Sequence, residues 1–242
     1  MNWQTYTIDP LEKRTERKSV LAVGAHPDDL EFGCSLIVRN LARKGYDAYY
    51  IIATNGENGC KKNIHDRKKR IALRKKEQIK AAKKTGVHKV IFLDYRDGFL
   101  EYNDKLRKGL THFIKKIKPE IVFTFDPANT EFTNLNLFHR DHRNIALAVF
   151  DACFAAKNDF IYPDKNGLHS VKKLYFFGTN KPDYHFDITK NIELKLDILG
   201  SHESQFSNFD EFKKFYKKNL ANSTKKYKYT EAFRTLEVVK IT

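Results

Sequence analysis

One stretch, residues 19–34 (SVLAVGAHPDDLEFGC), constrains the chain more than any other. Residues 20–23 are an apolar run of strand type, residues 24–29 read as a turn, and from Leu30 the pattern becomes helical. A buried strand feeding a helix through a short loop is the unit of open parallel sheets, whose ligands bind beyond the carboxyl ends of the strands. This loop has no Gly-x-Gly-x-x-Gly phosphate cradle. It carries His26-Pro27-Asp28-Asp29, an imidazole and two carboxylates in succession. A catalytic zinc takes three protein ligands from His, Asp, Glu or Cys and leaves a position for water. His26 and Asp29, three apart at the mouth of a helix, both reach one ion. Pro27 stiffens the turn between them by fixing its own φ, and Asp28 is left beside the metal to accept a proton. Capping of the helix by Asp28 or Asp29 is the plainer use of such residues. The histidine directly after an apolar strand favours the metal.

Two ligands need a third, and His139-Arg140-Asp141-His142 supplies two more imidazoles at the same spacing. An amphipathic segment follows, with Ile145, Ala146, Leu147, Val149 and Phe150. The strand-like run at 121–125 ends near the same sheet edge if the strands are parallel. Alone, His139 and His142 would equally suit a polar helix start; beside the first motif they read as site residues.

With both motifs in view, the chain resembles the PIG-L/LmbE-like family of zinc-dependent N-acetylglucosaminyl deacetylases. AHPDDLEFGC and HRDH carry the likeness. Further blocks stand in the family's order: the T-x-G-E-x-G-like loop at 54–59, Arg74 and Glu77 of an R-x-x-E helix, the L-x-x-x-D-G-x-L-like segment at 93–100, then Lys195 and the H-x-S-Q of 202–205. Together they span about residues 19–205. Arg140 departs from the family, which usually has Pro there.

The resemblance implies an α/β fold, a Rossmann-like, mostly parallel sheet with helices on both faces. It implies a single domain over 1–242, with 1–18 as a polar N-terminal extension. It implies one Zn2+ per chain, or another divalent transition metal, on His26, Asp29 and His142. Asp28 is then the general base, and His139, oriented by Asp141, the oxyanion donor or leaving-group acid. A neighbouring Asp141 would favour the charged imidazole, and a zinc cation would oppose it. The implied substrate is an N-acetylglucosamine-type sugar or glycoconjugate, including anionic ones, from which acetate is released. Arg74, Asp97 and His202 are candidate substrate contacts. Each has a bland alternative: an ion pair with Glu77, closure of the turn at Gly98, and a helix-end cap.

Forty-five basic against thirty acidic residues give a net charge of +15. A basic chain can bind nucleic acid, and a nucleic-acid-binding protein with a vestigial metal site is one alternative class. Most of the lysine runs lie on helix faces without a regular interleaving of aromatics, which favours a solvated surface over a nucleic-acid partner. A metal hydrolase of another bond type is the second alternative, but phosphoester sites often use two metals and more carboxylates. The start of the chain lacks the apolar core of a signal peptide, and no run reaches membrane-span length. Cys34, Cys60 and Cys153 are scattered thiols outside any disulfide or C-x-x-C pattern. A reduced, cytoplasmic setting is the expectation that fits, and a homo-oligomer is compatible with it. Strands are expected at 20–23, 47–53, 89–93, 120–125, 171–177 and 235–241. Helices are expected from Leu30 through Lys44 and over 65–84, 104–118, 141–157, 187–202 and 210–220. This alternation argues for a sheet covered on both faces.

Overall fold

The computed structural model describes residues 3–8, 18–129, 131, 135, 137–221 and 224–238. β2 (Ser19–Gly24) is buried along its whole length, as its uninterrupted apolar run requires of a strand covered on both faces. It pairs in parallel with β3 (Asp47–Thr54) on one side and β5 (Ile121–Phe125) on the other. β4 (Lys89–Tyr95) extends the sheet beyond β3, and β6 (Lys173–Phe177) beyond β5, both in parallel. Antiparallel strands close the edges: β1 (Gln4–Thr7) on β4, then β8 (Thr230–Glu237) on β6 and β7 (Tyr184–Asp187) on β8. The order β1-β4-β3-β2-β5-β6-β8-β7 reverses direction between β2 and β5. That reversal opens a crevice at the strands' carboxyl ends, where open α/β sheets take their ligands.

The helices follow their capping signals. α3 (Arg67–Thr85) starts on Asp66, whose carboxylate accepts from the amides of Lys68 and Lys69, and stops at Gly86 in the left-handed region. α4 (Asp104–Ile117) is capped by Asn103, and α7 (Phe209–Leu220) by Asn208. α5 (Arg140–Ala156) is capped by His139, an unusual cap whose Nδ1 accepts from the Asp141 amide at 3.3 Å.

The first helix departs from the sequence expectation. Instead of one helix from Leu30 to Lys44 there are two, α1 (Asp29–Gly33) and α2 (Ser35–Arg43), broken at Cys34 with φ −150°. The broken end is satisfied from a distance. Lys195 Nζ, fully buried, donates to the Phe32 carbonyl at 3.0 Å and pairs with Glu231. Glu231 in turn accepts from the amides of Leu36 and Ile37, both at 2.9 Å. A buried cation and anion thus supply the groups that a continuous helix would have supplied itself. β8 begins five residues earlier than expected; the tail of that expected strand, 239–241, lies outside the described residues, as do 9–17 of the extension. The expected helix over 187–202 shortens to α6 (Ile192–Leu199), preceded by a 3₁₀ turn at Thr189–Asn191. Among the described residues no helix is long and apolar enough to cross a membrane.

Candidate active site

The His26–Asp29 turn leaves the carboxyl end of β2, and His139 and His142 sit at the start of α5, which follows β5 in the chain. The switch point therefore brings the two motifs together. His26 Nδ1 lies 3.2 Å from His142 Nε2, and His142 Nε2 lies 3.1 Å from Asp29 Oδ1. Asp29 is set by its own turn: Oδ2 accepts from the amides of Ala25 and His26 at 2.8 and 2.7 Å, which leaves Oδ1 facing His142.

The hydrogen bonds behind these rings decide which nitrogens carry protons. His142 Nδ1 donates to the Leu137 carbonyl at 2.9 Å. His26 Nε2 faces two carboxylates, Asp141 Oδ2 at 3.1 Å and Asp97 Oδ1 at 3.2 Å, which can only accept. With those protons placed, the neutral rings turn bare lone pairs toward each other and toward the Asp29 carboxylate. In that neutral form three acceptors converge with no proton among them, an arrangement relieved by a cation, either a metal ion or the extra proton that His26 holds without one. Their two separations also lie close to what one metal ion needs: metal–ligand bonds of about 2.0–2.2 Å in a tetrahedron give edges of roughly 3.3–3.6 Å. His26, His139 and His142 also bring nitrogens within 4.8 Å of one another. His139 Nδ1 is occupied by the Asp141 amide, however, so His26, Asp29 and His142 form the better ligand set.

Without a metal this cluster is strongly polarised. Burial works against the charged form of His26, but Asp29, Asp141 and Asp97 outweigh it and hold its pKa well above the usual imidazole value. Burial likewise opposes ionisation of Asp29, yet His142 and His26 keep its pKa well below the carboxylate range. His139 goes the other way. Burial and the adjacent His142 and His26 push it down to about 4, so it is neutral at physiological pH. With Nδ1 accepting from the Asp141 amide, its Nε2–H is the proton left for the cleft.

Asp141 is not placed as expected. Its carboxylate does not orient His139; it turns to His26 Nε2 and accepts from the amides of Gly98 (2.7 Å) and Leu100 (3.0 Å). The carboxylate–histidine arrangement that fixes a metal ligand's tautomer is therefore built on His26. Asp97, read as a sugar contact or a turn residue, joins Asp141 on His26 and accepts from the Asn58 amide at 2.9 Å. His202 does not reach the cleft. It is fully buried and bonds Glu31 Oε2 at 3.0 Å. Gln205, from the same H-x-S-Q block, does line the cleft.

Asp28 occupies a conformation that side chains rarely adopt, with φ 109°, at a cost of about 1–3 kcal/mol. α3 holds it there. Arg74, almost wholly buried, donates to the Pro27 carbonyl and, at 3.1 Å, to Asp28 Oδ2, while Gln78 Oε1 accepts from the Asp28 amide at 3.1 Å. The loop after β3 closes over the turn at Gly56, where a Cβ would stand 2.6 Å from the Pro27 ring. Arg140, where the family usually has Pro, donates to the Leu100 carbonyl at 3.1 Å and pairs with Glu101. It thus ties the second motif to the segment that holds Asp141. The cluster opens into a cleft of about 1090 Å³, whose lining includes the polar Asp28, Arg74, Asn58 and Gln205 and the aromatic Phe32, Phe177, Phe215 and Tyr216.

A mostly parallel sheet with a histidine–carboxylate cluster at its switch point places the chain among α/β proteins that bind ligands beyond their strand ends. Residues 21–153 match the PIG-L family, described as GlcNAc-PI de-N-acetylase, and the chain belongs to that family. It is 33% identical over 193 residues to diacetylchitobiose deacetylase of Thermococcus kodakarensis, covering 78% of this chain and 70% of the relative. It is 26% identical over 196 residues to the probable N-acetyl-alpha-D-glucosaminyl L-malate deacetylase 2 of Bacillus subtilis, covering 78% and 84%. Among solved structures, N,N'-diacetylchitobiose deacetylase of Pyrococcus horikoshii, complexed with an inhibitor, superposes with a TM-score of 0.82 at 29% identity over 91% of this chain and 84% of that one.

Proposed function

We propose that the protein is a metal-dependent hydrolase that removes the acetyl group from an N-acetylglucosamine-type sugar conjugate, releasing acetate and a free amine. The observation that carries this reading is the meeting of His26 Nδ1, His142 Nε2 and Asp29 Oδ1, with contacts of 3.1–3.2 Å, three atoms that are all acceptors once His26 gives up its extra proton. Membership of the PIG-L family and the names of its relatives support the choice of bond.

His26, Asp29 and His142 would hold one divalent ion, zinc being the ion suited to two imidazoles and a carboxylate. Such an ion supplies Lewis-acid polarisation and lowers the pKa of a water in the site to roughly 7. The remaining work belongs to the chain. Asp28, fixed by Arg74 and by the Gln78 acceptor, takes the proton from the attacking water. His139, neutral, donates its Nε2–H to the carbonyl oxygen as charge develops there. Asp141 and Asp97 keep the His26 proton on Nε2, so that Nδ1 stays free for the ion. Arg74 supports Asp28 through Nη2 alone; its Nε and Nη1 make no hydrogen bond among the described residues, and the side chain lines the cleft. Gln205 offers its amide to sugar hydroxyls, and Asn58, whose Nδ2 donates to the Asp97 carbonyl at 2.9 Å, offers its Oδ1.

The test is metal analysis paired with acetate release from a panel of N-acetyl sugars that includes N,N'-diacetylchitobiose. The reading expects about one ion per chain, lost in His26→Ala and His142→Ala, and acetate formed only by loaded protein. Full metal occupancy in the doubly substituted protein, or no acetate from any N-acetyl sugar, would contradict it.

A further inference from the structure

We infer that Gln78, backed by Glu31 and His202, is a positioning residue that holds Asp28 in its left-handed turn. This rests on the reading of Asp28 as the general base. The three side chains are fully buried and form an unbroken chain. His202 Nε2 lies 3.0 Å from Glu31 Oε2, Gln78 Nε2 lies 2.9 Å from Glu31 Oε1, and the Asp28 amide donates to Gln78 Oε1 at 3.1 Å.

The order of donors and acceptors gives this chain a direction. A carboxylate can only accept, so Glu31 requires the NH₂ end of the Gln78 amide. The carbonyl end must then face the other way, toward the backbone N–H of Asp28. Were the amide turned over, two donors would oppose each other at Asp28 and two acceptors at Glu31, a costly mismatch among fully buried groups. His202 takes the second oxygen of Glu31, which leaves the first for Gln78. The identity of a residue 171 positions from Glu31 thus fixes the orientation of an amide that touches the turn.

The turn needs such a constraint. At φ 109° Asp28 lies outside the regions that side chains ordinarily occupy, and such a backbone persists only where its surroundings over-determine it. Its N–H makes no helical bond, because Asp28 stands just ahead of α1 as the N-cap. Gln78 supplies the acceptor that this N–H would otherwise lack. Arg74 holds the other side, through the Pro27 carbonyl and the Asp28 carboxylate. Without Gln78 the backbone of residue 28 is free to relax toward an ordinary conformation, which swings the carboxylate away from the reacting water. His202 and Gln78 therefore serve the reaction from outside the cleft.

A double-mutant cycle tests this on metal-loaded protein, read as acetate release from N,N'-diacetylchitobiose with metal content and melting temperature recorded beside it. In the otherwise native chain, Gln78→Met lowers kcat about tenfold at an unchanged KM and an unchanged metal content, the scale of losing one conformation-setting hydrogen bond. In the Asp28→Asn background the same change alters kcat by less than about twofold, because the group being positioned is already disabled. Hydrogen exchange at the Asp28 amide accelerates in Gln78→Met, a readout that does not depend on turnover. If Gln78→Met does not fold, Glu31→Gln carries the same cycle, since it keeps the volume but frees the Gln78 amide to turn over. Equal losses in both backgrounds, loss of metal, or no loss in either would overturn the positioning role while leaving Asp28 as base. Native turnover in Asp28→Asn alone would remove the base, and the positioning role with it.

Discussion

Asp141→Asn is the sharpest probe of how the cluster is supported. Three donors converge on the carboxylate: Gly98 N–H and His26 Nε2–H on Oδ2, and Leu100 N–H on Oδ1. An amide has one accepting oxygen. Its better orientation keeps that oxygen on His26 and Gly98 and turns the NH₂ against the Leu100 amide, leaving a buried donor without an acceptor. That costs about 1–3 kcal/mol, or roughly 2–12 °C in melting temperature for a chain of this size. The bond to His26 survives in weakened, uncharged form. Loss of a partner behind a ligand typically costs 10–100-fold in metal affinity or activity. Asp97 Oδ1, 3.2 Å from the same nitrogen, covers part of that loss, so we expect about tenfold weaker metal binding, the lower end of the range. Competition with a chromophoric chelator measures the affinity, and calorimetry of the metal-free protein measures the melting shift. Native affinity together with a native melting temperature would refute the argument. So would a change confined to the pH profile of turnover, which is the signature expected if Asp141 served His139 instead.

Asp28→Asn should keep its metal and lose at least ~10²-fold in kcat, the usual scale of general-base catalysis; loss of metal instead would make Asp28 a ligand. His139→Gln should lower kcat but leave the shape of the pH–rate curve unchanged above pH 6, since the His139 pKa is already down at about 4 and its ring is neutral throughout that range; a basic limb that vanishes in the variant would show otherwise. The metal-free protein should respond to pH in two opposite ways. Asp29, Asp97 and Asp141 have lowered pKa values, so their contribution is present above about pH 4 and lost as pH falls through the folded values. His26 is raised, so its contribution is complete below about pH 6.5 and lost as pH rises through the folded value. Metal binding must displace that proton, so titration calorimetry in buffers of different ionisation enthalpy should find roughly one proton released per ion near pH 7.

The parts of this site that were legible in the sequence are those whose donors are neighbours in the chain. His26 and Asp29 share one turn, His139 and His142 share one helix start, and the apolar runs of β2 and β5 place both at one sheet edge. What stayed hidden depends on groups that a side-chain pattern does not display. The backbone amides of Gly98 and Leu100 draw Asp141 away from His139, and nothing in H-x-D-H announces them. The break at Cys34 depends on Lys195 and Glu231, more than 160 residues away, while locally residues 30–44 carry an acceptable helical pattern. His202 was legible as part of a motif but not as buried, because its partner Glu31 reads locally as an ordinary first-turn acid. The edge strands β1 and β7 are four residues each and mostly polar, too short to show an alternation.

The central claim is that one ion on His26, Asp29 and His142 makes this chain a de-N-acetylase. Its most direct test is to strip the protein of metal, return zinc in sub-stoichiometric steps, and follow acetate release from N,N'-diacetylchitobiose. Activity should be absent at the start, rise linearly, and level off at about one equivalent, with no rise at all in His142→Ala. Full activity in the stripped protein, or an identical titration in His142→Ala, would contradict the account.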